Sequence, residues 1–186
     1  LIHAVEPVSG PRDAPMQAID LLRQRVMGVI ATHFDPSVTL QVELSRPPLF
    51  DAYREYVAGL ELFGEDNPQA IRHFERAAAI DPAFVSPQLY TAVAYSNQGD
   101  YVRADAIRRR VNESRERLSP LQRHMLDWHG ARLAGRDAEA LQAIRRAQQL
   151  VPRSSTVNYI VALECRDLNL PQQALDNLAK LAPEAF

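Results

Sequence analysis

The side chains best able to do chemistry in this chain are five histidines, one cysteine, scattered carboxylates and a dense run of arginines. His124 and His129 lie five positions apart, beside Asp127 and Trp128. On an α-helix that separation turns the two imidazoles ~140° apart about the axis, so they do not form the i, i+4 pair that grips a metal. They are expected to face solvent or line a groove. His3, His33 and His73 have no ligand-type neighbours. A nucleophilic thiol needs an adjacent base and a lowered pKa. Cys165 sits among apolar residues instead, and is expected to pack as a small hydrophobe. As the sole cysteine it forms no internal disulfide. Glu61 with Glu65, and Asp105, fall on helix faces expected to be solvated. No glycine-rich phosphate loop, nucleophile elbow or zinc spacing occurs. These residues offer no enzyme chemistry, and no cofactor or metal is implied.

The arginines are the densest charge feature: Arg103, Arg108, Arg109, Arg110, Arg115, Arg117 and Arg123. Consecutive helical residues point ~100° apart, so Arg108 to Arg110 cannot share one face. Glu113 and Glu116 offer i, i+3 or i+4 partners. The expectation is a solvated, partly paired helix surface, with docking of an anionic partner as the alternative. A net charge of −2 over 186 residues gives no general attraction to nucleic acid or to an anionic membrane.

The elements that carry these residues are helices. Glycine is scarce at 7 residues, and good helix formers dominate. No apolar run approaches the ~18 residues of a membrane span. Four segments superimpose: NPQAIRHFERAAAIDP (67–82), DYVRADAIRRRVNESR (100–115), RDAEALQAIRRAQQLVP (136–152) and LPQQALDNLAKL (170–181). Each places a small residue early in a helix, at Ala70, Ala104, Ala140 and Ala174, spaced 34, 36 and 34 apart. Another helix precedes each segment, with Gly64, Gly99, Gly135 or Asn169 in the turn, where a left-handed C′ residue is expected. Ser86-Pro87, Asn67-Pro68 and Ser119-Pro120 read as helix starts, and Gln122 completes a capping box with Ser119. Pro82 and Pro152 close two segments. The second helix of the second unit is expected to overrun toward Arg117.

A 34-residue helix–turn–helix unit with these small and aromatic positions resembles the tetratricopeptide repeat, over about residues 48–186. Gly59, Ala77 and Pro82 in the first unit, and Ala92, Tyr95, Gly99, Asp100 and Tyr101 in the second, match it best. Arg108 stands where an aromatic is usual. The resemblance implies an all-α, right-handed superhelix of about four helix pairs, with repeats at about 48–82, 83–118, 119–153 and 154–186. Stacked repeats bury apolar faces that no single pair can hide. The small residues at 70, 104, 140 and 174 would sit where paired helices touch.

In that family the first helix of each pair lines a concave groove that receives extended or helical peptides. By position this implies a groove of Leu89, Val93, Ser96 and Asn97, then Met125, His129 and Arg132, then Tyr159, Leu163 and Arg166. Glu55, Gly59 and Leu62 are the counterparts in the first repeat. The family's carboxylate-gripping version uses lysines and asparagines that this groove mostly lacks. An apolar floor with Arg132 and Arg166 at the rim suits an amphipathic peptide with some acidic residues. The function implied is a protein- or peptide-binding scaffold, with self-association through the groove or the last helix pair as the alternative.

Residues 1–47 form a separate segment. LIHAVEPVSG reads as a short extended piece, and residues 14–33 as an amphipathic helix packed on the array, with Met16, Ile19, Leu22, Val26, Val29 and Ile30 recurring at helical steps. Asp13 is its expected N-cap, and Thr39–Leu44 alternates like a half-buried strand. A strand and helix ahead of such repeats is similar to an arrangement in bacterial signalling proteins, where a sensory half follows a kinase or DNA-binding domain. On that resemblance the chain is expected to be an excised regulatory portion of a larger, membrane-anchored protein, on either side of the membrane.

Overall fold

A computed structural model describes residues 5, 7–11, 13–34 and 47–181. Among the described residues there are nine α-helices and no strand. They are α1 (Pro15–Phe34), α2 (Phe50–Leu62), α3 (Asn67–Ile80), α4 (Ser86–Asn97), α5 (Tyr101–Glu113), α6 (Pro120–Leu133), α7 (Asp137–Leu150), α8 (Ser155–Asp167) and α9 (Pro171–Leu178). Helices α2 to α9 pair in sequence as an all-α, tetratricopeptide-like array. No described helix is long and apolar enough to cross a membrane. Of the extended piece expected at 1–10, the described residues 5 and 7–10 have no regular structure, and the strand expected at 39–44 lies outside the described residues.

Local chemistry sets most helix ends. Gly64, Gly99, Gly135 and Asn169 all have φ between 56° and 94°, the left-handed backbone that releases a chain from a helix. After three of them the next amide reaches five residues back, Asp100 to Tyr95, Arg136 to Ala131 and Leu170 to Cys165, at 2.8–2.9 Å. Those bonds cap carbonyls that would otherwise be orphaned. Ser119 and Gln122 form the expected capping box on α6. Two expected starts shift. The cap of α3 is Asp66, which accepts from the Gln69 amide, while the Asn67 side chain accepts from the Gly64 amide. Helix α4 begins at Ser86 itself, after Val85 in helical conformation, so the buried Ser86 caps nothing. The expected overrun of α5 is also corrected: the helix stops at Glu113 and residues 115–117 form a separate 3₁₀ turn.

Small residues let the paired helices touch. Ala70, Ala104 and Ala140 are fully buried and Ala174 nearly so. A Cβ at Gly59 would lie 2.5 Å from the Phe74 ring, so α2 and α3 approach through that glycine. Around it Tyr56, Phe63, Phe74, Phe84 and Tyr90 make an aromatic core with ring centroids 5.0–6.2 Å apart. A second core joins α6 to α9 through Trp128, Leu141, Ile144, Val157, Val161 and Cys165. Between the two, Val111, Leu118 and Leu126 form a smaller cluster where α5 meets α6. Arg108 fills in where an aromatic is usual, its stem 3.3 Å from where a Gly130 Cβ would be.

Helix α1 docks on α2 by an unexpected face. A Cβ at Gly28 would fall 2.0 Å from the Pro48 carbonyl oxygen. Gln24 exchanges hydrogen bonds with the Asp51 amide and carboxylate at 2.9 and 2.6 Å. Of the apolar stripe, Met16, Ile19, Leu22, Val26 and Ile30 point outward, each more than a third exposed, and Val29 is half-buried. The helical period located the stripe but not the face that packs, because close approach at Gly28 decides the docking.

Candidate functional site

Helices α4, α6 and α8, the first members of the second to fourth pairs, stand side by side. The residues that project from them repeat at i, i+4 and i+7: Leu89, Val93 and Ser96, with Asn97 next to it, then Met125, His129 and Arg132, then Tyr159, Leu163 and Arg166. All ten line one cavity of about 700 Å³. Phe63, Tyr90, Trp128 and Ile160 extend its apolar wall, and Asp137, Glu164 and Asp167 add carboxylates. The first-repeat counterparts do not join it. Glu55 turns to α3, where its carboxylate accepts from His73 at 2.8 Å and Arg76 at 2.9 Å. Gly59 is spent on the approach to Phe74, and Leu62 packs against the aromatic core. Phe63 is what the first repeat contributes to the cavity.

The polar side chains of the cavity pair mostly with one another. Glu164 is 1% exposed, and accepts from the Trp128 indole N–H at 2.7 Å and from Arg132 at 3.4 Å. Arg132 also donates to Asp167 at 2.9 Å, and Arg166 to the same carboxylate at 2.7 Å. Asp167 is therefore held below the usual carboxylate range, first by Arg166 and then by Arg132. Arg132 and Arg166 do lie exposed at the border, and both guanidiniums are paired: Asp167 bridges them, and Glu164 lies 3.4 Å from Arg132. His129 is buried and shares a 2.8 Å hydrogen bond with the Ser96 hydroxyl. Burial, helped by the Arg108 charge, pushes its pKa down to about 4, so it is neutral at pH 7. Tyr90 is raised to about 12, chiefly by burial.

Sequence reasoning missed Trp128, Glu164 and Asp167. A signal was present. Ser96 and His129, Arg132 and Asp167, and Trp128 and Glu164 lie 33, 35 and 36 residues apart, one repeat length each. Complementary polar residues one repeat apart mark contacts between neighbouring first helices.

A second cavity of about 920 Å³ lies between α5, α6 and α7, beside Tyr101, Val102, Asp105, Arg108, Arg109 and Arg146. It is larger, but its charges are largely internal. Arg108 and Arg109 share Asp105 at 2.8 and 2.7 Å, which lowers the Asp105 pKa, with Arg108 the main cause. Elsewhere in the arginine run, Arg103 bridges Asp100 and covers the Tyr95 ring, Arg115 bridges Asp127 twice at 2.8 Å, and Arg123 donates to the Leu118 carbonyl. The surface is partly paired, but through Asp100, Asp105 and Asp127 and not through the expected Glu113 and Glu116. Among the described residues no group of three or more His, Cys, Asp or Glu could hold a metal. Cys165 is fully buried, with Arg145 at 3.9 Å.

No protein-family model matches the chain, and no curated protein matches it. Among solved structures, it is similar to that of a point mutant of MamA, at 16% identity with a TM-score of 0.38, over 91% of this chain and 97% of that one.

Proposed function

We propose that the chain is a protein-interaction scaffold whose partner lies in the cavity over α4, α6 and α8. The observation that carries this reading is the meeting of ten side chains from three helices in one concavity, with apolar residues exposed at its centre. Tyr159 is 45% exposed, and Leu89, Val93, Met125 and Leu163 are half-buried. Covering what each still exposes would recover a fraction of the ~1.5–3 kcal/mol that full burial of such a side chain contributes. Clustered exposure of this kind marks contact surfaces. Met125 is deformable and Tyr159 amphipathic, both suited to a contact surface. In this reading Arg132, Asp167 and Arg166 form a fixed polar border that sets where an occupant can lie.

The wider setting belongs to the same proposal. The array from about residue 48 acts as the regulatory half of a larger bacterial signalling protein, with α1 docked on it through Gly28. A photo-crosslinking amino acid placed at Leu163 in the native cell tests the core of this reading. Discrete protein adducts are expected at 163 and not at Arg109 on α5. Adducts at 109 with none at 163 would transfer the function to the arginine helix.

A further inference from the structure

The kind of partner follows from which hydrogen-bonding groups the cavity has left to offer, an inference that rests on the proposed function. Its walls are α-helices, whose backbone N–H and C=O groups are already bonded within each helix. Its polar side chains are largely spent as well. Ser96 bonds His129, Trp128 and Arg132 bond Glu164, and Arg132 and Arg166 bond Asp167. The Gln122 carbonyl closes the α6 cap by accepting from the Ser119 amide. Among the described residues, Asn97, Asp137 and the Tyr101 and Tyr159 phenols remain as exposed lining groups outside these pairs.

An extended peptide pressed onto this floor would turn half of its backbone groups toward Leu89, Val93, Met125 and Leu163. Those side chains cannot replace the hydrogen bonds that the peptide gives up to water, so each such group is left unsatisfied at a cost. An α-helix satisfies its own backbone and presents side chains alone. The charges point the same way. Arg132 and Arg166 are matched by Glu164 and Asp167, and Asp137 is a further lining carboxylate, so the cavity has no surplus cation to recruit an acidic peptide. Three neighbouring helices at ~8–10 Å spacing span roughly 20 Å between the outer two. About four helical turns of an occupant at 1.5 Å per residue cover that distance.

We propose that the cavity receives an amphipathic α-helix from another protein, docked by an apolar i, i+4, i+7, i+11 face with little net charge. This is helix-in-groove recognition, with the extended mode disfavoured by the spent polar groups.

Two displayed libraries of 18-residue peptides, panned on the whole chain, test it. One fixes apolar residues at helical spacing among Ala, Glu and Lys. The other alternates apolar and β-branched residues, with proline at intervals to prevent helix formation. Each is counter-selected on L163E and on V93E, after circular dichroism has shown that these variants are folded. Enrichment from the helical library is expected. The selected clones should bind at least tenfold more weakly to both variants, bind R109A normally, lose binding when proline is placed mid-sequence, and change less than threefold between 50 and 500 mM NaCl.

Extended clones that lose binding on L163E and V93E would overturn the helix inference and leave the groove reading standing. No clones from either library, or clones indifferent to both variants, would overturn the two together. A tenfold loss in high salt would replace the balanced occupant with a charged one. Self-association of the chain that disappears in L163E would make the occupant a second copy and overturn the separate partner.

Discussion

Buried and neutral on the cavity floor, His129 makes stability sensitive to mild acid. Its imidazole is 4% exposed, bonded to Ser96, and faces Arg108 and Arg132 with Asp105 opposing. The folded pKa is about 4 against an ordinary 6.5. The unfolded chain therefore takes up a proton as pH falls through 6.5, and the folded chain resists until about 4. Stability is full above 6.5 and declines between the two values. At ~1.4 kcal/mol per pKa unit, the whole shift is worth roughly 3 kcal/mol, and about 2 kcal/mol of it falls between pH 7 and pH 5. That narrower window also isolates the imidazole. Asp105 and Asp167, both lowered from 3.8, titrate below it. His124, lowered chiefly by burial, contributes with the same sign, so the comparison must be between variants. Urea unfolding at pH 7 and pH 5, on the natural chain and on His129→Gln, reads the effect. The natural chain should lose about 2 kcal/mol more than the variant. An equal pH dependence in both would refute the buried, neutral His129 and the floor built around it.

Two further substitutions test the packing. Ala104→Leu forces bulk into a fully buried contact between α4 and α5 and should cost ~1–3 kcal/mol in denaturant unfolding. The exposed first-turn change Ala138→Leu should stay within ~0.5 kcal/mol, and equal losses would show a wrong repeat register. Gly28→Val places a side chain where a Cβ alone would meet the Pro48 carbonyl oxygen at 2.0 Å. It should release α1 from α2, giving faster amide exchange across residues 18–32 while α6 to α9 keep their protection. Unchanged exchange in α1 would contradict the docking through Gly28.

The helix pairs were legible because their signals are local. Gly64, Gly99, Gly135 and Asn169 mark left-handed turns at helix ends, and alanines 34–36 residues apart mark the contacts between paired helices. Once that register is set, the residues projecting from α4, α6 and α8 follow from helical spacing, which is why ten positions chosen from sequence meet in one cavity. Electrostatics were not legible in the same way. Arg132 looks like a free cation until the fold brings Glu164 and Asp167 of α8 against it, whereas the Asp167 that pairs with Arg166 is its next neighbour in sequence. Ser86 looked like a cap because Ser-Pro commonly opens a helix, yet Val85 adopts helical angles and the turn starts earlier. In the first repeat, Glu55 sat at a groove position by register, but His73 and Arg76 on α3 draw it away. The Glu55 and Arg132 misses are contacts between helices overriding a local preference, whereas the Ser86 start turns on the local backbone of Val85.

The central claim is that the cavity over α4, α6 and α8 is the binding surface. The most direct measurement compares the affinity of a crosslinked partner for the natural chain, Met125→Ala, Tyr159→Ala and Arg109→Ala, with all four shown to unfold at similar urea concentrations. The account predicts losses of ~1 kcal/mol or more for each groove variant, as interface anchors commonly give, with Arg109→Ala unchanged. Binding abolished by Arg109→Ala and untouched by Met125→Ala and Tyr159→Ala would contradict it.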